Sequence, residues 1–326
     1  MSAGREKFLA AIESAESVVE GTALVDMTVE EAEEASVDRA LHNTGLRFMR
    51  NGIAIALFAA LEDFVWDRSK EIAAVLSSAS IAREQFPPQM IDDVEQQSVA
   101  VLQSVFGTSD PRNIKVSIYE DLANAWNPNG FGAWSIPHAA FVWTGSNMKE
   151  GDLLRPLKAL GAAQKWNDLS GVLSLIQPES KRGEGLPTKT QFEELARIRH
   201  RAAHDASFDA TLLELRNKPG KVREFAFCFD SLIAMAANSY KQAGQCERSG
   251  RDLVDLVRFE RLHKGTSISY REMTGPYVEG KKASKKLDES GVGRRMNEVA
   301  AKGKVAVKLK RDASGRALIE SWVTPL

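Results

Sequence analysis

The chain has 326 residues, 43% hydrophobic and 27% charged, enough for two globular units with real cores. Two cysteines, Cys228 and Cys246, are too few for a disulfide framework or a four-thiolate zinc site. The start, MSAGREKF, lacks an apolar signal core, and the longest apolar runs, residues 53–61 and 225–237, fall short of the ~20 residues a bilayer span needs, so a cytoplasmic protein without membrane contact is expected.

The net charge of −1 conceals a division along the chain. Residues 251–326 hold 17 Lys and Arg against 10 Asp and Glu, leaving 26 against 34 for residues 1–250. The tail is therefore the better general polyanion surface, and the larger part must build any basic site locally.

In chain order, residues 4–20 read as a short helix, and Thr28 with Glu31 caps an acidic one running through Arg39. This piece, residues 1–44, is an acidic helical extension: either a solvated helix lying against the next element or an acidic cover over a basic RNA site. Residues 46–75 form a long helix. On it Glu62 shares a face with Ile55, Phe58, Val65 and Trp66, and a carboxylate on so apolar a stripe needs a cation or donors unless it leans to solvent. Pro87-Pro88 ends that region, and residues 89–106 are a further amphipathic helix.

Residues 127–137, NPNGFGAWSIP, must be a loop, with Trp126, Phe131, Trp134, Phe141 and Trp143 clustered around it. These aromatics either stack on unpaired bases or anchor the core, and the lysines that should interleave a stacking platform are missing. Residues 152–174 give one or two helices. The loop at 178–188 brings Lys181 and Arg182 as a basic rim to the stretch that follows it.

That stretch, residues 188–205, is TKTQFEELARIRHRAAHD. Thr190 followed by Glu193 reads as a capping box. Leu195, Ile198 and Ala202 recur at helical spacing, which leaves Arg199, His200 and His204 on or near the exposed rim. His200 and His204, four apart, also suit two zinc ligands. Against a metal-dependent hydrolase stand Arg201 where a zinc-protease helix has glutamate, and the repulsion of a dication by Arg197, Arg199 and Arg201. A long apolar helix over residues 220–242 then closes a helical bundle.

An arginine, four intervening residues and a histidine, with a polar residue directly after the arginine, resembles the motif of HEPN-domain ribonucleases of the RiboL-PSP-HEPN-like family. The resemblance covers residues 45–245 and is closest over 192–205 and 57–66. It implies a helical-bundle domain, a homodimer that assembles a composite cleft, and an acidic residue on an early helix, here Glu62, facing the motif. It departs from the family in the long interval 107–187 and in the extra pieces at both ends.

Cleaving RNA without metal requires a base for the 2′-hydroxyl proton, a cation for the phosphorane and an acid for the leaving 5′-oxygen. An imidazole and a permanent guanidinium cover most of these. His204 is the candidate base or acid, Arg199 the phosphate clamp, and His200 orients His204 or contacts phosphate. On an ideal helix positions five apart lie ~140° round and ~7.5 Å along, a gap that arginine's long side chain bridges in part or that a second copy across a two-fold, the homodimer the resemblance implies, completes.

Residues 250–326 read as a second, basic α+β domain. A helix is expected over 251–264, a short strand at 267–269, a brief helix capped by Ser269 and Glu272, and one or two helices over 281–302 broken at Gly291 and Gly293. A hairpin over 304–322 then turns at 312–315. This is a winged-helix order by architectural analogy, with Lys304, Lys308 and Lys310 on one face, and a small basic packing domain or partner-docking module is the equal alternative. The expectation is thus a mainly helical chain: extension 1–44, HEPN-like bundle 45–247, tail 250–326.

The function expected is a metal-independent, cofactor-free endoribonuclease acting on single-stranded or transfer RNA in a toxin–antitoxin or anti-phage role. RNA contacts are expected from Arg197, Arg201, Lys181, Arg182 and the three tail lysines, and an antitoxin or defence protein is the expected partner. The alternative is a non-catalytic nucleic-acid-binding or regulatory protein that works through its basic tail.

Overall fold

The computed structural model describes residues 2–21, 24–79, 81–106, 119–120, 122–123, 134–137, 141, 147–177, 189–264, 267–274, 286–313 and 315–326. The helices are α1 (Ala3–Glu20), α2 (Val29–Ala35), α3 (Arg39–Ser78), α4 (Pro88–Phe106), α5 (Glu150–Ala159), α6 (Trp166–Ser174), α7 (Lys189–His204), α8 (Leu212–Arg216), α9 (Lys218–Ala243) and α10 (Glu289–Ala301). The strands are β1 (Leu256–Lys264), β2 (Ser267–Thr274), β3 (Lys286–Leu287), β4 (Val305–Arg311) and β5 (Ala317–Val323).

Helix α9 is the centre of the molecule. Every residue from Val222 to Ala237 is buried, the signature of a helix apolar all round, and Gly244 in the left-handed region (φ 71°) ends it. Helix α3, 40 residues long, packs beside it through Leu57, Leu61, Val65, Ile72 and Leu76, and α1 adds Phe8 and Ile12 to the same core. Helix α2 has the Thr28–Glu31 capping box but stops at Ala35, where Ser36 turns left-handed (φ 54°). It does not run through Arg39, which instead opens α3 behind the Asp38 cap. The boundary expected at residue 44 consequently falls inside α3.

Asp230, the one charge within the apolar run of α9, is fully buried and multiply bonded. It accepts from Arg68 Nε (2.7 Å), Trp322 Nε1 (2.7 Å) and Arg5 (3.3 Å), while Arg5 also donates to Thr324 (3.0 Å). One carboxylate thus ties α1, α3, α9 and the end of the chain together, and its desolvation is offset by direct hydrogen bonds from two guanidinium groups.

The tail is a five-stranded sheet in the order β3-β2-β1-β4-β5. β1 runs antiparallel to β2 and parallel to β4, and β4 and β5 form the expected hairpin. The winged-helix order is not found. Residues 251–264 are a 3-10 turn (Gly250–Leu253) followed by β1, residues 269–272 lie in β2, and one helix, α10, runs through both Gly291 and Gly293.

The reason is burial on both faces. Leu256, Val305, Val307, Leu309 and Trp322 join the bundle core, whereas Val257, Phe259, Tyr270 and Ala306 pack under Val292, Met296 and Val299 of α10. Such strands lose the alternation that identifies a half-exposed one. The bundle and the tail on either side of residue 250 therefore share one hydrophobic core.

Candidate functional site

Helix α7 is seated by two apolar contacts. Near its start Phe192 packs on Phe58, Trp166 and Phe225 with ring centroids 5.6–5.8 Å apart. Near its end Ile198 packs on Val19, Leu24, Phe208 and Ala210. Phe192, Leu195 and Ile198 are buried and Ala202 half-buried, the face that the helical spacing predicts. Thr190 is not the cap. It is exposed within the helix, which has begun by Lys189, while Thr188 lies outside the described residues.

Beyond His204 the chain turns sharply and is pinned to α3. Asp205 accepts from Ser207 N–H (3.0 Å) and Ser207 Oγ (2.6 Å), which holds its carboxyl below the usual range. The Asn51 side-chain amide donates to Phe208 O (2.8 Å) and accepts from Ala210 N–H (3.0 Å). Buried Arg50 grips Asp209 through Nε and NH2 and also reaches Asp26. Arg201 pairs with Asp205 (3.4 Å) and lies 4.4 Å over the Phe208 ring. Of these clamp residues the sequence singles out Arg201, as an RNA contact; Asn51 and Phe208, 157 residues apart, share no local pattern.

On the outer flank, His200 and His204 are exposed, with ring centroids 4.8 Å apart. Arg199 is half-buried. Its Nε is buried without a hydrogen-bond partner, and its charge acts on Glu62. Burial pushes the Glu62 carboxyl above its usual range, against the opposite pull of the Met148 amide and of Arg199. Glu62 thus does interact with the predicted cation, but its direct hydrogen bond is from Met148 N–H (2.5 Å), at the entry to α5. Between α3, α7 and this entry lies a cavity of about 640 Å³ bordered by Phe58, Asn147, Lys149, Ala196, Arg199 and His200.

The other expected contacts are less available. Arg197 is bidentate to Glu194 (2.9 and 2.7 Å). Lys304 pairs with Asp255 (2.8 Å). Lys308 bonds Glu289 and sits 4.8 Å over the Tyr270 ring, with its side chain only 17% exposed. It shares with half-buried Lys310 the strand face on which α10 packs, so the alternation does not produce a free basic wing. Lys181 and Arg182 lie outside the described residues.

Of the aromatic cluster, Trp134 and Phe141 are core residues, Trp134 packing on Phe86 at 5.3 Å. Trp126, Phe131 and Trp143 lie outside the described residues. Among the described residues no third His, Cys, Asp or Glu joins His200 and His204 in a metal-ligating group. Among the described residues no helix is long and apolar enough to cross a membrane.

Chemically, the flank of α7 offers a permanent cation with an unused donor, two adjacent imidazoles and a carboxylate behind the cation. This set suits anion binding and proton transfer. A comparison with protein families matches residues 30–235 to the family described as RiboL-PSP-HEPN. No curated protein and no solved structure matches the chain.

Proposed function

The chain belongs to the RiboL-PSP-HEPN family, whose match spans well over half of it, and on that premise we propose that it is a metal-independent endoribonuclease. The observation that carries the reading is the placement of Arg199, with an unbonded, buried donor, and His200 at the edge of a cavity, with the exposed His204 imidazole 4.8 Å from that of His200. The 2′-oxygen of the ribose attacks phosphorus, the bond to the 5′-oxygen breaks, and a 2′,3′-cyclic phosphate remains. His204 moves the proton, from the nucleophile or to the leaving oxygen. Arg199 balances the charge growing on the phosphorane, and His200 orients His204 or the phosphate.

His204 lies a helical turn beyond the residues of α7 that border the cavity, which favours a second copy contributing across a two-fold axis. An unpartnered stripe on α3 supports this. Leu41, Phe48 and Met49 are 72, 62 and 50% exposed, and added Cβ atoms on Gly45 and Gly52 of the same stripe would meet open space. Pairing through this stripe removes a costly apolar surface. The biological setting we propose is a toxin–antitoxin or anti-phage effector acting on single-stranded or transfer RNA. The rival reading, a non-catalytic binder working through its tail, loses support from the ion pairs of Lys304 and Lys308.

The test is cleavage of single-stranded and transfer RNA by the purified full chain in EDTA. Wild type should cut, Arg199→Ala and His204→Ala should not, and both should still bind RNA. Cutting that needs added metal, or that survives both substitutions, overturns the reading. Expression of wild type, and not of Arg199→Ala, should arrest growth.

A further inference from the structure

The cavity beside Arg199 carries more than the motif requires. Three buried polar atoms of its lining have no hydrogen-bond partner: Arg199 Nε, a donor, and the acceptors Asn147 Oδ1 and Glu150 Oε2, of which the Glu150 carboxylate is ion-paired with Lys189 (2.8 Å). Buried polar groups are rarely left unpaired, and each costs free energy unless a ligand supplies its complement. Phe58 and Met148, each only 1% exposed, close the floor. At about 640 Å³ the space lies within the range of small-ligand sites, about 300–1,000 Å³.

The distribution of charge narrows the occupant. The amides at the start of α5 are already used, Met148 N–H by Glu62 and Lys149 N–H by Asp152 (2.7 Å), so that helix end does not present a free anion cradle. On the α7 side stand Arg199, the His200 imidazole and Arg197, the last already bidentate to Glu194. The opposite side offers the Asn147 side-chain amide, flanked by Lys149 and by a Glu150 carboxylate that Lys189 already pairs. A phosphodiester or an ionised carboxylate has acceptors only and leaves Asn147 Oδ1 unsatisfied. A nucleobase has a donor and an acceptor side by side on its edge, and in a nucleotide that edge is tethered to an anion.

We infer that this cavity receives one unpaired nucleotide of the RNA, with Asn147 binding the base edge and Arg199 spanning base and phosphate. The inference rests on the ribonuclease reading for the identity of the polymer, and it adds Asn147 as a base-binding residue that the motif does not contain. It also restricts the substrate: a base held in a duplex cannot enter, so cutting is confined to loops, single strands and flipped nucleotides.

Two measurements on the full chain test this. In isothermal titration, at least one of the four ribonucleoside 5′-monophosphates should bind more tightly than inorganic phosphate. Asn147→Ala should weaken that binding about tenfold and leave inorganic phosphate unchanged. In cleavage assays an abasic nucleotide at one position beside the scissile bond should slow wild type about tenfold and make no difference to Asn147→Ala. Ala196→Met, which narrows the cavity from the α7 side, should reproduce the loss, and thermal melts of both variants check that they fold.

Monophosphates that bind no better than phosphate, or folded Asn147→Ala that matches wild type in both assays, overturn the inference. Asn147-dependent monophosphate binding by a chain that cuts no RNA preserves the pocket and removes the nuclease reading.

Discussion

Asn51→Ala probes how α3 holds the motif. The Asn51 side chain bonds Phe208 O at 2.8 Å and Ala210 N–H at 3.0 Å, and both backbone groups belong to buried residues. Truncation leaves one acceptor and one donor without partners, each costing about 1–3 kcal/mol, so a loss of about 2–6 kcal/mol is expected. For a chain of this size that lowers the melting temperature by roughly 3–9 °C. The loosened turn also carries Asp205 and Phe208, which hold Arg201, and it directly follows His204. RNA cleavage should therefore fall about tenfold even well below the melting transition. Asn51→Asp retains the bond to Ala210 N–H but sets a carboxylate against Phe208 O, and it should be no better than Ala. Differential scanning calorimetry and initial cleavage rates read both effects. A melting temperature within about 1 °C of wild type, with unchanged cleavage, would refute the clamp.

Three further outcomes are expected. Asp230→Asn strips the buried charge from between Arg5 and Arg68 and should cost about 3–5 kcal/mol, read as the urea midpoint; a midpoint unchanged from wild type contradicts the role given to that carboxylate. Glu62 has its carboxyl pKa raised by burial, so the contribution of its protonated form to stability is full below the unfolded carboxylate range and is lost as pH rises through its folded value. Glu62→Gln, which cannot ionise, should gain melting temperature relative to wild type between pH 4 and pH 7; a constant difference across that range would show that ionisation there is not opposed. Phe48→Glu should convert a dimer to a monomer in analytical ultracentrifugation and abolish cutting, whereas a variant that remains dimeric excludes the α3 stripe as the contact.

Much of the helical part is legible because its periodicity is strong. The long apolar stretch became α9, and the inward face of α7 lies where Leu195 and Ile198 predict. Local signals succeed only where nothing competes. Thr28 and Glu31 form a true capping box, while the same spacing at Thr190 and Glu193 lies inside a helix already under way.

The tail is harder to read from its sequence because β1 has apolar and charged residues on both sides, Arg258 and Glu260 being buried there alongside Val257 and Phe259. The wall of the site contributed by Asn147 and Met148 was invisible for another reason. Its contact with Glu62 spans 86 residues, and no local pattern encodes such a meeting. Arg199 and His204, in contrast, were identifiable from spacing and resemblance, and their roles await the chemistry.

That chemistry is most directly read from the ends of the products. The full chain, incubated with single-stranded RNA in EDTA, should leave 2′,3′-cyclic phosphate on one fragment and a 5′-hydroxyl on the other, and a single 2′-deoxy substitution at the cut site should block the reaction. Fragments ending in 3′-hydroxyl and 5′-phosphate, or undiminished cutting at the deoxy position, would contradict attack by the ribose and with it the roles assigned to Arg199 and His204.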